Sequence, residues 1–66
     1  MTGTELRERR RALGLTQEAL ADRLGVSRVT LAKWETDTLR IEHAAMLALA
    51  LDALSQERAA RQETSA

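Results

Sequence analysis

The sequence predicts an all-α fold, a compact bundle of four to five short helices, and three observations carry that prediction. Proline is absent and Ala, Leu, Arg and Glu dominate, so most positions lose little conformational freedom on becoming helical. Hydroxyl residues suited to helix N-caps (Thr2, Thr16, Ser27) alternate with glycines suited to helix ends (Gly14, Gly25). Between these marks the apolar residues recur at helical spacing and do not alternate as in a strand.

Helix one is expected to begin at Thr2, which stands at capping-box spacing from Glu5. Leu6 and Leu13 lie seven residues apart and share a face, with Arg10 between them and Gly14 as the stop. Thr16 caps helix two; Ala19, Leu20, Ala21 and Leu24 form its apolar face, Gly25 ends it, and Val26 plugs the corner. Ser27 caps helix three, where Val26, Thr30, Leu31 and Trp34 recur at helical spacing and Arg28, Val29, Ala32 and Lys33 form the opposite face.

Residues 36–40 read as a connector. Helix four is expected from near Ile41–His43 through Leu54. Its sequence HAAMLALALDAL is apolar nearly all round, which requires burial on two sides. Three short helices cannot enclose it, so one face is expected on the domain and the other on a second copy, with Ile41, Ala45, Met46, Leu49 and Leu51 at the homodimer interface. His43 is expected as a cap or interface residue and Met46 as packing. The organisation is thus a domain over residues 1–54, including a dimerisation helix at 41–54, and a polar C-terminal tail at 55–66 that can continue as helix before fraying.

A chain of 66 residues holds one small domain. There is no cysteine, which excludes disulfides and thiolate metal sites, and a single histidine argues against an imidazole zinc site. No metal or cofactor is therefore expected. No glycine-rich phosphate loop and no nucleophile with a paired base are visible, so no catalytic residue is assigned. Neither a signal-peptide pattern nor a long uncharged apolar run appears, and the expected location is cytoplasmic, with no membrane partner. Net charge is zero, which argues against sequence-blind polyanion binding. Residues 1–40 nevertheless hold eight basic side chains (Arg7, Arg9, Arg10, Arg11, Arg23, Arg28, Lys33, Arg40) against six acidic ones, and residues 41–66 hold two basic against four acidic. The first part faces toward an anion and the second away from it.

Residues 15–35, LTQEALADRLGVSRVTLAKWE, combine a supporting helix, a tight turn at Gly25-Val26 and a second helix short enough to enter a DNA groove. Through Thr16-Gln17, Ala21, Gly25, Val26, Leu31, Trp34 and Glu35 this run resembles the helix-turn-helix of lambda-repressor- and Cro-like proteins, the XRE family. The likeness extends over roughly residues 3–54. Many members carry a glycine soon after the Trp-Glu pair and often a proline before helix four; this chain has Thr36-Asp37-Thr38 and Ile41-Glu42 there.

The resemblance implies that double-stranded DNA is the partner and that helix three reads its major groove from the N-terminal part. Ser27, Arg28, Val29 and Lys33 would then face the bases: Arg28 on a guanine edge, Val29 on a thymine methyl, Lys33 on a guanine or a phosphate. Gln17 is similar to the family's phosphate clamp beside a helix N-terminus, where backbone N–H groups favour an anion. Thr16, Thr30, Thr38 and Arg11 complete the expected phosphate-binding set. The plainer reading of these polar residues is a solvated surface, and for Thr30 and Thr38 a packing residue and a loop cap. Arg7, Arg9 and Arg11 read first as a solvated face with partners such as Glu5 or Glu8. The resemblance also implies that Glu35 pairs with Arg10 as a structural ion pair bridging helices one and three, since the stem of Arg10 lies between core leucines and its charge needs a partner.

The function expected from this set is a sequence-specific transcriptional regulator, a repressor acting as a homodimer on a near-palindromic operator and nucleoid-associated. Two other readings use the same fold: an antitoxin or phage-type regulator that also binds a partner protein through the tail from Ser55, and an interaction module that has lost DNA binding. RNA binding is disfavoured, since Trp34 is the one aromatic residue and is expected in the core.

Overall fold

The structure is a computed structural model and describes residues 1–64, with side chains for residues 1–61. Among these residues there are four helices and no strand: α1 (Gly3–Ala12), α2 (Gln17–Leu24), α3 (Arg28–Glu35) and α4 (Ala44–Thr64). The first three start where the sequence places their caps. Thr2, Thr16 and Ser27 have extended backbones, and their hydroxyls accept the N–H of Glu5, Ala19 and Thr30, each at 3.1 Å.

The first three helices end by one device. The chain turns left-handed one residue past the last helical turn, and two amides fold back onto free carbonyls. After α1 the left-handed residue is Gly14 (φ 70°), one place beyond the cap Leu13; Gly14 N–H donates to Arg11 O and Leu15 N–H to Arg10 O. After α2 it is Gly25 (φ 76°), with Val26 N–H on Ala21 O. A Cβ on Gly25 would meet nothing within 4 Å, so backbone conformation alone selects glycine there. After α3 the residue is Asp37 (φ 59°), the one non-glycine with positive φ among the described residues, and Thr38 N–H returns to Lys33 O.

Asp37 offsets its strained backbone by a long-range contact. Its Oδ1 accepts the first N–H of α1, that of Gly3, at 3.0 Å. Gly3 is buried against the end of α3, where an added Cβ would lie 2.4 Å from Trp34 O and 2.6 Å from Glu35 O. Both obstacles are backbone, so neither can swing away. Gly3→Ala is expected to destabilise the fold by about 1–3 kcal/mol, read by thermal melting, as overpacking does in a close-packed site. An unchanged melting temperature would show that α1 and α3 need no such close approach.

The core is nearly all leucine. Leu6, Leu13, Leu20, Leu31, Leu47 and Leu51 are buried with Ala21, and Trp34, Val26, Leu24, Ile41 and Leu54 pack partly buried around them. Each buried leucine contributes about 1.5–3 kcal/mol. Ala21, on α2, is 2% exposed.

Helix four starts and extends within what the sequence allows and departs from expectation at one residue. It begins at Ala44, after a turn at Glu42 and His43, and His43 O accepts the N–H of Leu47. It runs to Thr64, so the polar tail continues as helix past Leu54. Polar residues tie α4 to the bundle: Asp52 pairs with Arg9 and Glu57 with Arg23 (2.6 Å), and Arg58 donates to Ala12 O at the end of α1. The departure is Leu51, which was assigned to the dimer interface but is fully buried in the core. One helical turn separates it from Leu47, and that pair is the inward face of α4. Of the other residues assigned to the interface, Ile41 is partly buried and Ala45, Met46 and Leu49 are exposed.

Candidate nucleic-acid interface

The outward face of α3 is prepared by what its inward face does. Leu31 enters the core and Glu35, one turn later, is 3% exposed. With 31 and 35 turned in, Arg28, Val29 and Lys33 point away, and all three are exposed. Val29 exposes 58% of its surface, an apolar side chain left in water at the start of a helix. Ser27 is exposed beside them, although its hydroxyl already accepts the Thr30 amide and lies 2.9 Å from the Thr30 hydroxyl.

Pairing separates the basic side chains into two groups. Arg7, Arg9, Arg10, Arg23 and Arg61 have acidic partners, and Arg58 holds a helix-end carbonyl. Arg11, Arg28, Lys33 and Arg40 have none among the described residues. Arg7 and Arg9, expected as solvated residues with partners on their own helix, instead reach Glu35 of α3 (3.7 Å) and Asp52 of α4. Arg11 is the α1 arginine left for an outside anion. Arg40, in the connector, is exposed and also without an acidic partner among the described residues.

Behind this face lies the ion pair that the resemblance implied. Arg10 Nε donates to Glu35 Oε2 at 2.7 Å and Nη2 to Oε1 at 3.3 Å, while Nη1 donates to Leu15 O at 2.9 Å. The Glu35 side chain has no exposed surface and that of Arg10 exposes 12%. Gln17 Nε2 adds a third donor, 3.1 Å from Glu35 Oε1. One carboxylate therefore joins α1, the start of α2 and the end of α3. Burial pushes the Glu35 carboxyl up, but the hydrogen bonds from Arg10 and Gln17 and the charges of Arg10 and Arg7 outweigh it and hold it below the usual value of 4.5.

The residues expected on phosphate stand differently from one another. Gln17 turns one amide N–H inward to Glu35, which leaves its second N–H and the backbone N–H groups of Gln17 and Glu18, which have no acceptor among the described residues, for an anion at the start of α2. The Thr16 hydroxyl accepts the Ala19 amide and keeps its own proton to donate. Thr36 Oγ1 donates to Ala32 O, so the 2.9 Å contact between Thr36 and Thr38 uses the proton of Thr38. Thr38 must give up that bond to donate to a phosphate, which makes it the weakest of the set.

Among the described residues no group of three His, Asp or Glu side chains is arranged to hold a metal ion, and no helix is long and apolar enough to cross a membrane. A family model described as helix-turn-helix matches residues 6–55, from within α1 to the middle of α4. No curated protein and no solved structure matches the chain.

Proposed function

The chain belongs to the lambda-repressor- and Cro-like (XRE) helix-turn-helix family of DNA-binding transcription regulators, and we propose that it is a repressor that occupies a near-palindromic operator as a homodimer. The observation that carries this reading is the outward face of α3. It presents an unpaired Arg28, an exposed Val29 and an unpaired Lys33 on a helix whose other side is locked by Leu31 and Glu35. A base-reading helix needs that combination, since its polar groups must be free and its angle fixed.

In this reading Arg28 takes the O6/N7 edge of a guanine, Val29 packs on a thymine methyl, and Lys33 reaches a guanine or a phosphate. Ser27 stands at the groove entrance. Gln17, Thr16 and Arg11, with Thr30 and Thr38, hold the backbone and set the register. Two copies place two α3 helices in successive major grooves about 34–36 Å apart. Such a protein acts by occluding a promoter and carries no chemistry of its own. It works in the cytoplasm on the nucleoid.

Duplex binding measured against salt tests this. Arg11 and Lys33 offer two phosphate-directed cations per copy and four per dimer, so log affinity should fall with log salt at a slope of about −4. A flat slope would exclude DNA as the partner and favour an interaction module on the same fold.

A further inference from the structure

A groove of about 470 Å³ opens between the end of α2, the connector and the first turns of α4. Its apolar lining combines the half-buried Val26, Trp34 and Ile41 with the exposed Leu39 and Met46. Leu39 is 44% exposed, Met46 69%, and Leu49, one turn after Met46, another 69%. The apolar surface thus continues out of the groove along α4, farther than a small molecule seated in the groove would cover.

We infer that this face docks a second copy of the chain about a two-fold axis, with Met46 of each copy entering the groove of the other and Arg40 of each meeting Glu42 of the other. The inference deepens the homodimer reading and rests on it. Charge selects the occupant. Arg40 and Glu42 both line the groove, two residues apart, and neither has an ionic partner among the described residues. A two-fold axis makes a patch its own complement, so one unpaired cation and one unpaired anion become two reciprocal pairs. A partner of a different kind would have to supply the same spacing of opposite charges by coincidence. The chain's net charge of zero sets no long-range repulsion between copies. A buried methionine fits the site because its flexible side chain fills an irregular concavity.

Sedimentation equilibrium of the full chain tests the assignment. The unaltered protein is expected as a dimer at micromolar concentration. Met46→Glu should weaken that dimer at least about 100-fold while leaving the far-ultraviolet dichroism of the helices unchanged, since the side chain is mostly exposed. Arg40→Glu and Glu42→Arg should each weaken self-association, and an equimolar mixture of these two variants should restore it, because only the mixed dimer then has opposite charges at both contacts. A Met46→Glu protein that still dimerises with full affinity would put the interface on another face, leaving the homodimer reading intact. A mixture that associates no better than either variant alone would remove the reciprocal pairing and with it the two-fold docking. An unaltered protein that is a folded monomer would overturn the homodimer and this face together, and leave DNA contact by α3 to be judged by its own salt slope.

Discussion

Glu35→Ala should lower stability by about 3–5 kcal/mol, the range for removing one partner from a buried ion pair. The whole folding free energy of a domain this size is about 3–10 kcal/mol. The variant is therefore expected to be largely unfolded, or to melt at least about 12 °C below the parent. Lost attraction is the smaller part of this. The carboxylate is also the acceptor for Gln17, and its removal strands the Arg10 guanidinium between core leucines. Replacing both partners by apolar residues, as in Arg10→Met with Glu35→Leu, should recover much of the loss, because no buried charge is then left unpaired. The pair also gives stability a pH dependence of known sign. The folded-state pKa of Glu35 is depressed, so its contribution is fully present above the ordinary value of 4.5 and is lost as pH falls through the folded value. Melting temperatures of the parent and Glu35→Gln should converge as pH is lowered below that point. A constant gap, or a Glu35→Ala protein that melts like the parent, would mean that the pair does not hold the helices together.

Arg28→Ala should have the opposite profile, leaving the fold intact and abolishing recognition. Arg28 is exposed and pairs with no acid among the described residues, so melting should be unchanged. A bidentate arginine–guanine contact contributes about 1–3 kcal/mol of discrimination, and a dimer loses two. Affinity for the preferred site should drop about 30- to 10,000-fold, while the salt slope stays near that of the parent, because a base contact releases no phosphate counterions. Arg11→Ala should do the reverse, with a modest and sequence-independent loss and a slope shallower by about 1 for each contact. If Arg28→Ala leaves specificity untouched, α3 is not the reading element.

What the sequence discloses here is what is decided locally. The starts of α1, α2 and α3 were legible because a hydroxyl three residues before an amide caps it whatever the rest of the chain does. Gly14 and Gly25 were legible because few other residues take a left-handed backbone. Asp37 was not, since its strained φ is tolerated through a bond to Gly3, 34 residues away. Gly3 was missed for the same reason: it reads as an ordinary residue after a cap until the end of α3 is laid across it. How firmly α4 holds beyond Leu54 was not legible, because Glu57 and Arg58 look like loose tail residues until Arg23 and Ala12 stand opposite them. The assignment of Leu51 failed because a stretch apolar all round gives no phase, and packing alone chose Leu47 and Leu51 as the inward pair. Of the candidate site, the outward set Arg28, Val29 and Lys33 follows from helical phase once Leu31 is known to be core. The freedom of Arg11 and Arg40 does not follow from the sequence, because it depends on which other arginines find acids.

Selection of bound sequences from random duplex DNA tests the central claim most directly, since it reads binding, symmetry and spacing at once. The expected result is an enriched near-palindrome whose half-sites are centred about 34–36 Å, one helical turn, apart. Each half-site should carry a guanine that loses its enrichment when Arg28 is replaced by alanine. Recovery of no preferred sequence by the folded protein would contradict it.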